Sequence, residues 1–254
     1  MKHWLATIAA ITLMLVSAHS ARAQDEITVL APGIMRGPIE QLIPGFEAKT
    51  GHKVKATYGA EDATKQQVIR GEAFDVPVLE VPYANVIASG NVVLGSETPV
   101  ASISVGVAVR KGAPKPDIST AAAVKSMLLA AKAISFPDPA PAAASGISVE
   151  DTLKKLGIFE QLQPKIKLTQ GGARAMALVA SGETEIGMTF LPGMTDAGID
   201  IVGTLPRELS TPTIVSGFVS AHAKDPAAAK EFVVYLSSPE AASIYKAQKM
   251  QPGR

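Results

Sequence analysis

The chain has 254 residues, with 24 lysines and arginines against 23 aspartates and glutamates, four histidines and no cysteine. A formal net charge of +1 gives no bulk attraction to nucleic acid or to an anionic membrane, and the missing cysteine excludes a disulfide-stapled domain, a thiol enzyme and an acylated lipoprotein. Aromatic residues are few and alanine is abundant, which suits short strands packed by alanine-rich helices.

The chain opens with Lys2, then an almost unbroken apolar run over 5–16, then Ala21-Arg22-Ala23. This is the pattern of a secretory signal peptide, with cleavage expected after Ala23 and release into the periplasm of a Gram-negative bacterium. The apolar run is shorter than the roughly 20 residues a spanning helix needs. Without Lys2 and Arg22, 22 basic residues face 23 acidic ones, a net of −1.

Strand and helix signals then alternate, which predicts parallel sheets with crossover helices. A strand is expected at 27–30. A helix at 37–50 sets Ile39, Leu42, Ile43 and Phe46 on one face and stops at Gly51. A strand at 53–58, a helix at 62–70, a buried strand at 76–81 and a helix through Ala88 follow. One long apolar strand is expected at 102–110, then a Pro- and Gly-rich loop. Next come a helix at 121–131, a strand at 133–136, a loop of prolines and small residues at 137–146, and a helix at 147–156. A strand at 166–168, a helix at 173–181 and strands at 185–190 and 199–203 lead to a second long strand at 211–221. Helices at 226–237 and 239–249 close the chain. The two long strands suggest two α/β lobes, each a mainly parallel sheet flanked by helices. One lobe holds residues 24–103 and returns at 213–254; the other holds 104–212.

The stretches "FEAKTGHKV", "GEAFDVPVL", "GVAVRKGAPKPDIS", "LKKLGIFEQL", "LVASGETEIGM" and "KDPAAAKEFVVYLSSPEAA" occur in this order over nearly the whole expected mature chain. Together they resemble the bacterial extracellular solute-binding proteins of the molybdate-binding, ModA-like superfamily, the type II periplasmic binding proteins. The resemblance implies two lobes that close by a hinge on a ligand, a monomer, and delivery to an inner-membrane ABC permease. It also implies an oxyanion held by hydroxyls and by N–H groups at helix N-termini. By register, Ile34 stands where the first serine of molybdate binders lies, Glu61 where the second lies, and Phe190 in place of a tyrosine. Each departure removes a donor, and Glu61 adds a carboxylate that repels an oxyanion. The expected ligand is therefore a small organic carboxylate rather than molybdate, tungstate or sulfate.

Ligands of open α/β sheets bind beyond the carboxyl ends of strands, which selects the loops at 33–36, 59–62, 142–146 and 190–193, with the turn at Gly171-Gly172 as a fifth. The candidate contacts are Gly33, Ile34, Met35, Arg36, Ala60, Glu61, Ser145, Gly146, Arg174 and Phe190. Arg36 and Arg174 each open a helix, where an arginine can grip a carboxylate with two donors. Plainer readings stand beside these. The arginines suit surface ion pairs, Ser145 suits a helix cap, and Met35 and Phe190 suit plain core.

No cofactor and no metal are expected. His52 and His222 stand alone, and there is no P-loop, GxSxG or dinucleotide fingerprint. One enzymatic reading fits the same scaffold. Some relatives in this subfamily look like aconitate isomerases, whose allylic proton shift needs one general base and cationic clamps. Glu61 or Asp62 would be the base there, and Arg36 and Arg174 the clamps.

Overall fold

The computed structural model describes residues 26–140 and 143–253. The signal peptide expected at 1–23, and Ala142 of one expected cleft loop, lie outside the described residues. In chain order the strands are β1 (Ile27–Pro32), β2 (Val54–Gly59), β3 (Val76–Glu80), β4 (Thr98–Ile103), β5 (Val105–Arg110), β6 (Ile134–Pro137), β7 (Ile166–Thr169), β8 (Ile186–Phe190), β9 (Ile199–Thr204), β10 (Thr213–Gly217) and β11 (Gln251–Pro252). The helices are α1 (Arg36–Thr50), α2 (Glu61–Ile69), α3 (Ala84–Ala88), α4 (Ala121–Ala130), α5 (Ala144–Lys155), α6 (Phe159–Leu162), α7 (Gly172–Ser181), α8 (Pro226–Leu236) and α9 (Pro239–Ala247).

The strands form two sheets, ordered β11-β4-β10-β3-β1-β2 and β7-β6-β8-β5-β9. Pairing is parallel in β2-β1-β3 and in β7-β6-β8, the parts that alternate with helices. The strands that carry the chain between sheets add antiparallel pairs. The fold is thus mixed α/β, two sheets with flanking helices.

The expected single strand at 102–110 is two strands. β4 pairs with β10 in the first sheet, and β5 pairs with β8 and β9 in the second. Ser104 is where the chain changes sheets, since one strand cannot satisfy ladders in both. The expected strand at 211–221 contracts to β10, and beyond Gly217 single bonds hold the chain beside β3, from Phe218 N–H to the Pro77 carbonyl and Ser220 N–H to the Asp75 carbonyl. Helix α5 starts at Ala144, three residues ahead of the expected 147.

Local chemistry explains the elements around the cleft. α1 buries Pro38, Ile39, Leu42 and Phe46 and ends at Gly51, whose φ of 78° is the left-handed stop a glycine supplies. Phe46 meets Phe232 of α8 edge to face at 4.9 Å, so α1 and α8 share one core layer. On the other face Tyr83 packs edge to face on Phe218 at 5.2 Å. Among the described residues, no helix is long and apolar enough to cross a membrane.

Candidate functional site

Four helices of nine or more residues follow parallel strands: α1 after β1 and one 3-10 turn, α2 after β2, α5 after β6 and α7 after β7. None of the four has a side-chain cap at its N-terminus. Three other helices do. Thr120 caps α4, Asp225 caps α8 and Ser238 caps α9. The first turns at these strand ends thus lack a cap from their own N-cap side chains, and uncapped helix N-termini attract anions.

One of those ends has a partner from the other sheet. Glu61, the first residue of α2, accepts the Ala144 N–H of α5 at 3.0 Å through Oε2. Its Oε1 accepts from Lys65 Nζ at 2.7 Å, and both side chains of that pair are less than 15% exposed. Lys65 also donates to the Val81 carbonyl at 3.3 Å. Glu61 thus occupies the anion seat at the start of α5.

Behind Glu61 lies Glu80, the last residue of β3, only 2% exposed. Burial first, then the neighbouring Glu61 carboxylate within hydrogen-bonding reach, pushes the Glu80 carboxyl well above the usual carboxylate range. Its Oε2 is buried with no hydrogen-bond partner. Two carboxyls, one lysine and one helix N-terminus meet at this point.

A cavity of about 440 Å³ adjoins the seat. Lys65 and Gln66 of α2, Asn85 of α3, Ile147 and Ser148 of α5 and Thr211 of the return to β10 are among its walls. It draws on both sheets' helices, and it could hold a drug-sized organic molecule.

The other expected contacts are placed differently. Gly33 is exposed and Ile34 half-buried in the one-turn helix before α1. Met35 is fully buried and Phe190 is 5% exposed, both within the core. Arg36 lies over the Tyr58 ring, 4.5 Å from its centroid, and 3.6 Å from Glu40. Tyr58 is pushed up to about 12, by burial first and then by the nearby Glu40 charge. Ala60 is the uncapped N-cap of α2. Ser145 is the second residue of α5, buried, and caps nothing there. Gly146 packs so tightly that an added Cβ would strike the Pro137 carbonyl oxygen and lie 3.0 Å from the Pro139 nitrogen. Arg174 lines a groove at the β7 edge with Lys167, Gln170 and Glu183, away from the Glu61 cluster. The structure thus gathers Glu61, Ala60 and the α5 start, and leaves Arg174 apart.

Sequence reasoning passed over Lys65, Glu80 and Lys249. Lys65 was findable as the i+4 partner of Glu61. Glu80 was findable as the one ionisable residue ending the apolar run of β3. Lys249 reaches across to the Met194 carbonyl at 3.3 Å. No spacing rule points to it, because the contact joins distant parts of the chain. Among the described residues no group of three or more His, Asp and Glu could hold a metal ion.

Comparison with known proteins agrees with this architecture. The family model for bacterial extracellular solute-binding protein matches residues 27–250. An aconitate isomerase from Pseudomonas sp. is 31% identical, covering 98% of this chain and 97% of its own length. The molybdate-binding protein ModA of Rhodobacter capsulatus is 26% identical over 93% of this chain and 92% of its own. The solved substrate-binding domain of a putative molybdenum ABC transporter from Clostridium difficile superposes with a TM-score of 0.76 at 15% identity, over 90% of this chain and 99% of that one. The chain belongs to the bacterial extracellular solute-binding protein family.

Proposed function

We propose that the protein captures a small organic carboxylate between two lobes, residues 24–103 with 213–254 and residues 104–212. It acts in the periplasm after cleavage behind Ala23 and passes the ligand, as a monomer, to an inner-membrane ABC permease. The observation that carries this reading is Glu61 at the α5 N-terminus beside a cavity of about 440 Å³. A tetrahedral inorganic anion would leave most of that volume empty and would meet a carboxylate where molybdate binders offer a hydroxyl. An organic anion can place one carboxylate near the open helix N-termini and Lys65, and its carbon body in the cavity. Of the two arginines expected at the ligand, Arg36 borders the loop after β1 and Arg174 lines a separate groove, while Lys65, which was not expected there, stands nearest the seat.

A thermal-shift screen of the chain from Gln24 tests this. Succinate, citrate, cis-aconitate and trans-aconitate stand against molybdate, tungstate, sulfate and phosphate, since a ligand of the folded state raises Tm by mass action. Shifts with organic anions alone are expected; shifts with the inorganic set alone contradict the reading.

A second reading is favoured by a specific pairing: an ionisable Glu61 in the seat, and the aconitate isomerase relative matched over nearly its full length. On this reading Glu61 removes the allylic proton and returns it to the other end of the double-bond system, while Lys65 holds a carboxylate. Proton NMR of cis- and trans-aconitate mixed with micromolar protein would show interconversion. Glu61→Gln should lower its rate by roughly 10²–10⁴-fold. No turnover at high protein concentration leaves the binding reading alone standing.

A further inference from the structure

We propose that Lys249 is a positioning residue: it stands at a helix stop built for glycine, and from there its side chain tethers a turn of the second sheet to the first. The tether does not rest on the proposed ligand class; its effect on affinity does.

The backbone carries the first half. Three helices end in one pattern of two bonds. At α2 the Gly71 N–H donates to the Val68 carbonyl and the Glu72 N–H to the Gln67 carbonyl; Gly157 with Ile158 after α5, and Gly182 with Glu183 after α7, repeat it. In each the left-handed residue is a glycine, with φ between 65° and 79°. α9 ends in the same pattern, Lys249 N–H to the Lys246 carbonyl at 3.0 Å and Met250 N–H to the Tyr245 carbonyl at 2.9 Å. Lys249 takes a φ of 59° there, the one positive φ outside glycine among the described residues. A Cβ makes that conformation costly, and it persists where the surroundings hold it. Tyr245 and Met250 on either side are each 1% exposed, and β11, two residues on, pairs with β4.

The side chain supplies the second half. Lys249 Nζ donates to the Met194 carbonyl at 3.3 Å. Met194 closes the turn after β8, its N–H on the Leu191 carbonyl at 3.2 Å, and the Leu191 N–H donates to the Ser104 carbonyl at 3.0 Å, at the point where the chain changes sheets. Gln248, next to Lys249, lies against the first turn of α1, its Oε1 3.2 Å from where a Cβ on Gly37 would sit. The end of α9 therefore stands between the start of α1 and the turn at 191–194, which holds most of an expected cleft loop. The last turn of α9 already carries Lys246, so the helix dipole needs no second cation. A glycine at 249 would end the helix with less strain and would forfeit the reach to Met194.

Distances between spin labels test the tether in the ligand-free protein. The chain has no cysteine, so Lys55→Cys on β2 and Gln170→Cys after β7 give unique labels. Both residues are exposed, and β2 and β7 are the outer strands farthest from β4 and β5. A narrow distribution is expected with Lys249 and with Lys249→Arg, and a longer, broader one with Lys249→Met. Unchanged distances in Lys249→Met, or a Lys249→Arg distribution as broad as that of Lys249→Met, overturn the tether. Melting tests the strain. Lys249→Gly and Lys249→Met both lack the tether, and only the methionine keeps the left-handed cost, so Lys249→Gly should melt about 2–4 °C higher. Equal melting overturns the claim that the lysine is held against strain. Trans-aconitate should bind Lys249→Met more weakly, by the factor by which the binding-competent arrangement is depleted. Equal affinity despite longer distances overturns the positioning role. If trans-aconitate binds neither protein, the proposed ligand class has failed, and distances and melting still decide on the tether.

Discussion

Glu80 puts an ionisable group where an apolar strand would otherwise end. A carboxyl that ionises less readily in the folded protein than in the unfolded chain keeps its proton as pH rises past the ordinary carboxylate range. The native state then binds more protons than the unfolded one, and stability falls as pH increases through that window. Glu80→Gln removes the dependence. Its Tm relative to wild type should rise between pH 5 and pH 8, by calorimetry; a difference that stays constant contradicts the assignment. Gly146 makes a different kind of demand. An alanine there has no room against the backbone of the last residue of β6 and the loop that follows it. Gly146→Ala should cost about 1–3 kcal/mol in urea unfolding, the usual range for overpacking. Ser145 and Gly146 were both read from sequence as ligand contacts. The structure gives Gly146 a packing reason of its own, which residue type alone could not separate from a binding one.

At the scale of elements, the division between capped and uncapped helices is the most informative pattern. Thr120, Asp225 and Ser238 close α4, α8 and α9, while the helices after β1, β2, β6 and β7, like the short α3 and α6, start without a side-chain cap. Capping residues are worth about 1 kcal/mol each. Thr120→Ala should therefore lower stability by about that amount and leave anion affinity unchanged. Ala143→Ser should do the reverse, adding up to about 1 kcal/mol by capping α5 and weakening anion binding, because the new hydroxyl competes for the same N–H groups. Chemical denaturation and titration of the two variants side by side check both. Most elements were legible, because period-3.6 apolar faces and glycine stops mark α1 and α7 directly. The break at Ser104 was not. The run from Ser102 to Arg110 is continuously strand-like, and only the partners on either side reveal that it serves two sheets. The site was half legible for a similar reason. Glu61 stood out as a carboxylate in a loop position, but its contact with Ala144 spans 83 residues, and Glu80 reads locally as a strand end.

Across the whole molecule, contacts cross between the parts built on the two sheets at Glu61 to Ala144 and at Lys249 to the Met194 carbonyl. The first of these places a carboxylate on a helix N-terminus beside the cavity, and the second places a lysine on a carbonyl. The central claim is that this cleft is built for an organic carboxylate and closed to inorganic oxyanions. Isothermal titration of trans-aconitate and of molybdate into the chain from Gln24, at the same pH and salt, tests it most directly. Saturable heat is expected with trans-aconitate and none with molybdate. Saturable binding of molybdate with no response to trans-aconitate would mean that Glu61 does not guard the seat.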